Sequence, residues 1–170
     1  MIINQNELLG LEPIKNMVRT KQKSNGVSWG LSEAGYDIRI KQDVVFNGEY
    51  RNSIRTHNPD GTRTDKKFIG RFILASAIEE FDMPDCLVGI VHDKSTWARK
   101  GLSVFNTVIE PGWKGFLTLE LVYHGNTELI IPAGSGIAQV IFHRTSNKAR
   151  YEGRYQNQSD EPTPAKMILE

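Results

Sequence analysis

The feature that most limits what this chain can fold into is its punctuation. Short runs of β-branched, aromatic and aliphatic residues recur along it, each closed by Gly, Pro, Asn, Asp or a charged cluster. They lie at Tyr36–Ile40, Val44–Phe46, Phe68–Ala77, Leu87–His92, Leu102–Val108, Phe116–Tyr123, Leu129–Ile131 and Ile137–Phe142. Helix-like segments are few and short. This spacing predicts an all-β barrel or sandwich rather than an α/β fold. The polar stretch Arg51–Lys67, which carries Asn58-Pro59-Asp60-Gly61, predicts an exposed hairpin or loop.

The run Phe116–Tyr123 alternates most cleanly. Leu117, Leu119, Leu121 and Tyr123 fall on one face, and Phe116, Thr118, Glu120 and Val122 on the other. Glu120 is therefore a carboxylate among apolar neighbours in a strong strand former. Either its face meets solvent, or the carboxylate is buried beside a cation such as Arg99. Just before it, Pro111-Gly112 and Lys114-Gly115 bracket Trp113 as a tight turn.

A second dense patch is Asp93–Leu102. It reads as one helical turn, capped by Asp93 or Ser95, filled by Trp97 and Ala98, and stopped by Gly101 in a left-handed conformation. The start of this turn gathers unpaired amides with Lys94, Ser95 and Thr96, a combination suited to an anion. Ser95 and Arg99 share a face if the turn is helical. Asn4 and Glu7 resemble a helix-start pair ahead of Leu8 and Leu9. Trp97 and Trp113 read as packing residues, and His92 as structural.

Other classes are disfavoured. A chain of 170 residues is large enough for one domain with a real core. The segment Met1–Leu11 lacks the basic and apolar regions of a secretory leader. No window approaches the ~20 apolar residues of a membrane span. A net charge of +1 gives no argument for a nucleic-acid polymer or an anionic membrane as partner. The lone cysteine, Cys86, precludes an intrachain disulfide and suggests a reducing compartment such as cytoplasm. From Asn147 onward the chain is too polar for a core; composition alone favours disorder there, a ligand-ordered flap being the alternative.

Taken together, these motifs resemble the dCTP deaminases of the trimeric dUTPase superfamily. Lys94–Leu102 is similar to the family's K/R-S-S-x-x-R-x-G-L signature. Ile109–Leu121 is similar to I-D-P-G-[FW]-x-G-x-x-T-L-E-L, and Pro132–Gln139 to P-G-x-x-I-x-Q. Gly35–Ile40 resembles S-Y-D-L-R-L, and Gly153–Pro164 the G-K-Y-Q-x-Q…P-T-P tail. The likeness runs in order along nearly the whole chain.

The resemblance implies a single dUTPase-like domain over 1–170, a distorted β-barrel with one or two short helices, forming a homotrimer with sites between subunits. Residues 147–170 become a flap over the nucleotide. The implied reaction converts dCTP to dUTP and ammonia, with Glu120 as acid/base, Arg99 orienting it and Ser95 beside the attacking water. Lys94 and Thr96 match phosphate contacts, Glu110 the deoxyribose, and Thr118 and Leu119 backbone contacts. Gln139, Tyr151, Arg154 and Gln158 match further nucleotide contacts. Mg²⁺ would arrive on the triphosphate; dTTP enters as a candidate inhibitor. Zinc is not expected, since the chain spells neither H-x-E nor P-C-x-x-C.

The chain departs from the family pattern at three places. Glu110 stands where the family has Asp, Arg154 stands where it has Lys, and residues 105–109 replace a longer segment of the base pocket. A dUTPase, or a bifunctional enzyme that also releases pyrophosphate, is the main alternative; a silent nucleotide sensor is another. An apolar residue at position 120 and a Gly-rich arm would mark a dUTPase, and the chain has neither.

Overall fold

The computed structural model describes residues 1–47, 51–58, 60–105 and 107–167. In chain order the elements are β1 (Ile2–Ile3), α1 (Gln5–Leu11), β2 (Lys21–Ser24), β3 (Val27–Leu31), β4 (Tyr36–Arg39), β5 (Asp43–Phe46), β6 (Arg51–His57) and β7 (Arg63–Ile69). Then follow β8 (Phe72–Asp82), β9 (Leu87–Asp93), α2 (Ser95–Ala98), β10 (Leu102–Val104), β11 (Val108–Ile109), β12 (Lys114–Tyr123), β13 (Leu129–Ile131) and β14 (Gly136–Arg144). The expected all-β architecture with two short helices is present.

The strands form three antiparallel sheets. The largest runs β11-β9-β14-β4-β3-β2, with β1 added to β14; the others run β10-β12-β8 and β13-β5-β6-β7. Their inner faces meet in one core. Ile38, Val91, Val140 and Phe142 enter it from the large sheet, Ile73, Leu119 and Leu121 from the three-stranded one, and Val44 and Phe46 from the third. All but Phe46, Leu119 and their like at 1% are fully inaccessible to solvent, so the period-two pattern of the sequence is the pattern of burial.

Local punctuation moved some expected boundaries. Gly70 takes φ +109 and turns the chain, so Phe68 and Ile69 finish β7 while β8 starts at Phe72 and continues to Asp82. The stretch Leu102–Val108 is likewise two strands, β10 against β12 and β11 against β9. The polar stretch from Arg51 is a paired hairpin, β6 on β7; Pro59, part of its expected turn, lies outside the described residues. The hairpin β2–β3 was not expected. Its two-residue turn is Asn25-Gly26, both at positive φ (50° and 76°), the geometry that matches strand twist.

Around α1 the helix-start pair is put to other uses. Asn4 occupies the N-cap position without a side-chain cap; its amide donates to the Glu33 carbonyl at 2.8 Å, while Glu7 pairs with Arg144 at 2.6 Å.

Gly136 shows how tightly the large sheet closes. A Cβ there would lie 2.0 Å from the Ser28 carbonyl oxygen, and its own carbonyl accepts the Trp97 indole N–H at 2.7 Å. We expect Gly136→Ala to cost about 2 kcal/mol or more, read as a lowered urea midpoint. A midpoint equal to wild type would contradict this close approach.

Candidate active site

The outer face of the three-stranded sheet carries the candidate acid/base residue, Glu120. With Leu117, Leu119, Leu121 and Tyr123 buried, β12 must turn Thr118 and Glu120 outward, opposite Ser76 and Leu74 of β8. They face a cavity of about 420 Å³. Thr107 and Glu110 line it from the segment before β12, and Tyr151, Tyr155 and Gln158 from the tail.

Glu120 is half-buried, and burial pushes its carboxyl above the ordinary glutamate value. Its own backbone amide opposes that shift weakly. Among the described residues no cation pairs with it. The Glu120–Arg99 pair expected from the sequence does not form within one chain. Arg99 is exposed at the end of α2, which links β9 of the large sheet to β10 beside β12, and it makes no ion pair with Glu120 on the outer face of that sheet.

The turn before β12 is built to receive the tail. Trp113 is buried against Phe81, and its indole N–H donates to the Tyr155 carbonyl at 2.7 Å. The Tyr151 amide donates to the Pro111 carbonyl at 2.8 Å. Gln156 accepts from the Lys114 amide and donates to the Gly112 and Tyr151 carbonyls. Gly115 (φ +129) then pairs in parallel with Gln158, whose carbonyl accepts the Phe116 amide; a Cβ on Gly115 would meet the Gln158 backbone at 2.6 Å. The segment that composition read as disordered is thus tied down by backbone hydrogen bonds. Its polarity reflects hydrogen bonding to a turn rather than freedom.

A second group sits elsewhere. Lys94 donates to Asp37 at 2.5 Å, with side chains only 10% and 4% exposed, and the other Asp37 oxygen, Oδ1, is buried without a partner. Gln139 lies opposite both Asp37 and His92 and donates to the Ser32 hydroxyl at 2.9 Å. Ser95 and Thr96 are exposed on α2 beside Lys94. Neither Asp93 nor Ser95 caps this turn: Lys94 holds the N-cap position, and the Asp93 carboxylate accepts the Val104 amide at 2.7 Å. The Trp97 indole bond and Gly101 (φ +87) fix it instead.

The sequence-predicted residues therefore fall into two sets. Glu110, Thr118, Glu120, Tyr151 and Gln158 share the cavity; Lys94, Ser95, Thr96, Arg99 and Gln139 do not line it. The Leu119 side chain is in the core, leaving only its backbone for contacts. Arg154 donates to the Lys166 carbonyl on the exposed tail. Residues the sequence reading missed are Tyr155, next to Arg154 in the tail motif, and Asp37, in the segment Gly35–Ile40.

A family model described as dCTP deaminase-like matches residues 12–145. The chain belongs to the dCTP deaminase-like family. A dCTP deaminase of Acinetobacter baumannii (strain AYE) is 34% identical over 174 residues, covering 91% of this chain and 89% of the relative. One from Protochlamydia amoebophila is 32% identical over 167 residues, covering 87% and 86%. The fold is similar to the crystal structure of 2'-deoxycytidine 5'-triphosphate deaminase from Agrobacterium tumefaciens. That match has TM-score 0.55 and 12% identity, over 86% of this chain and 50% of that one.

Within this family frame the shortened segment 105–109 still reaches the cavity through Thr107, Val108 and Ile109; Asn106 lies outside the described residues. Glu110 is exposed, and its carbonyl accepts the Trp113 amide at 3.1 Å, so the longer side chain is free to extend.

Arg99→Ala removes the guanidinium that the sequence pairs with Glu120 and leaves burial to act alone. In that variant Glu120 is expected to titrate above the ordinary glutamate value by carboxyl ¹³C NMR, and Glu120→Gln should erase the signal. A midpoint at or below the ordinary value would contradict the desolvation of Glu120.

Proposed function

We propose that the chain hydrolyses dCTP to dUTP and ammonia, in a homotrimer whose sites are each completed by a second copy. The observation that carries this is Glu120: a half-buried carboxylate with a raised pKa and no cationic partner among the described residues, in a cavity of nucleoside size. The family's relatives named dCTP deaminase support the substrate.

In the proposed reaction Glu120 takes a proton from water as the water oxygen bonds to C4 of cytosine, the C4=N3 π electrons move to N3, and Glu120 hands that proton to N3. Glu120 then carries the proton of the new C4 hydroxyl to the exocyclic amine, the bond from C4 to that amine breaks, and ammonia leaves as C4=O forms. The base must be ionised, so activity should fall as pH drops through the raised pKa. A neighbour's Arg99 and Ser95 would orient Glu120 and the water. Thr118, Tyr151, Gln158 and Glu110 would hold base and sugar, the Leu119 backbone would add a contact, and Lys94, Thr96, Gln139 and Arg154 would hold phosphates.

The residues present fit a hydrated Mg²⁺ carried on the triphosphate. The unpartnered oxygen of buried Asp37, held beside Lys94, is an acceptor suited to a metal-bound water. Bound there, the ion would neutralise phosphate charge. Exposed Glu110 on the same cavity favours a second reading, in which the enzyme also cleaves dUTP to dUMP and pyrophosphate. Inhibition by dTTP belongs to the same proposal, as does a location in cytoplasm; no helix among the described residues is long and apolar enough to cross a membrane.

Purified protein incubated with Mg²⁺ and dCTP, dUTP, dCMP or dTTP separates these readings by chromatography: dUTP from dCTP alone for a deaminase, dUMP for a bifunctional enzyme, no product for a sensor. Glu120→Gln should lower deamination at least ~100-fold while the trimer and dCTP binding persist.

Sharing of the site has its own test. Arg99→Ala and Glu120→Gln proteins, each inactive, should regain about a quarter of wild-type activity when unfolded and reassembled as a 1:1 mixture. No recovery, with mixed trimers verified, would place both residues of a site in one subunit and overturn the shared-site reading.

A further inference from the structure

The tail is held by more than the turn before β12. A second set of bonds, made largely by residues outside the cavity, fixes its course between Gln158 and Thr163. Gln42 is fully buried and exchanges two bonds with fully buried Ser76: its Oε1 accepts the Ser76 amide at 2.9 Å, and its Nε2 donates to Ser76 Oγ at 2.8 Å. The first bond fixes which end of the amide is oxygen, because a flipped amide would set donor against donor. Ser76 Oγ is thereby made an acceptor for Gln42, and its own proton goes to the Asp160 carbonyl at 2.8 Å. Lys41 completes the arrangement. Its amide donates to the Ser76 carbonyl at 2.9 Å, while its ammonium reaches the Asp160 carbonyl at 3.0 Å, the Asp160 carboxylate at 2.7 Å and Glu161 at 3.1 Å. Across the strand pair from Ser76, Thr118 Oγ1 accepts from both the Gln158 side chain and the Thr163 amide.

Lys41, Gln42 and Ser76 do not line the cavity. Nonetheless they determine where the tail residues that do line it, Gln158, Thr163 and Ala165, must run. We propose that Lys41, Gln42 and Ser76 form a clasp that seats the tail over the cavity in the nucleotide-free protein, making them positioning residues for nucleotide binding. The ordering entropy of residues 158–163 is then met before ligand arrives, so the clasp acts on affinity and leaves the chemical step alone. The second half of this inference rests on the cavity being the nucleotide site; the first half does not.

The two halves are tested separately. Hydrogen exchange of the peptide spanning 156–163, followed by mass spectrometry without nucleotide, reads the clasp. Ser76→Ala and Lys41→Met are each expected to speed exchange by at least about tenfold, since the first loses the Ser76 Oγ bond to the Asp160 carbonyl and the second all three ammonium contacts to Asp160 and Glu161. Lys41→Arg should restore protection, and added salt should speed exchange in wild type more than in Lys41→Met. Exchange already at the rate of free peptide in wild type, or unchanged in both variants, overturns the clasp. Steady-state turnover of dCTP reads its consequence: KM should rise about tenfold in Lys41→Met with kcat kept, and Lys41→Arg should reverse this. Lost protection with unaltered KM would overturn the role in nucleotide binding while leaving the clasp in place. Failure of wild type to turn over dCTP would count against the proposed function, not against the exchange result.

Discussion

The pairing of β8 with β12 is the constraint on which the rest of the site depends. Ser76 lies opposite Thr118 and Leu74 opposite Glu120, with one irregularity between Phe116 and Thr118. A slip of one residue would send Glu120 and Thr118 into the core and bring Leu119 and Leu121 out. Burial of four large side chains on the inner face forbids that slip, at roughly 1.5–3 kcal/mol per residue exposed. The acidic side chain is therefore held outward by hydrophobic residues that never touch the cavity. Its raised pKa follows from position: it has been drawn partly out of water, and no cation among the described residues relieves it.

Legibility in the sequence followed the range of the forces involved. The face carrying Glu120 could be read from alternation alone, because a period of two is a property of the strand itself. Gly101 as the stop of the short turn was readable for the same local reason, and its φ of +87 agrees. The Asn25-Gly26 turn was equally local and carried the strongest short hairpin signal, but its flanks, Lys21–Ser24 above all, are too polar to register as strands. What spacing could not reveal was the partner of Glu120. Arg99 lies a turn from Ser95 in sequence, and although α2 leads into β10 beside β12, Arg99 stays exposed and makes no ion pair with Glu120 within the chain. Composition alone favoured disorder for the tail over a flap because it measures apolar content, and the tail's anchoring uses backbone donors and Gly115 instead.

The surroundings of Glu120 also make the proposed completion of the site by a second copy physically reasonable. Phe72, opposite Val122 on the same outer face, is 46% exposed, and it packs on Phe105, itself 53% exposed, at 6.3 Å. Val108 on the cavity wall is 55% exposed. Aromatic and aliphatic groups exposed together beside a half-buried carboxylate form a surface that gains from being covered. A covering copy that brought only apolar groups would deepen the desolvation of Glu120 and press it toward its neutral form. One that brought Arg99 as well would remove the same water and keep the carboxylate ionised and oriented. The exposed cation on α2 and the anion on β12, unpaired among the described residues, are thus complementary deficits, and the proposed shared site would resolve both at once.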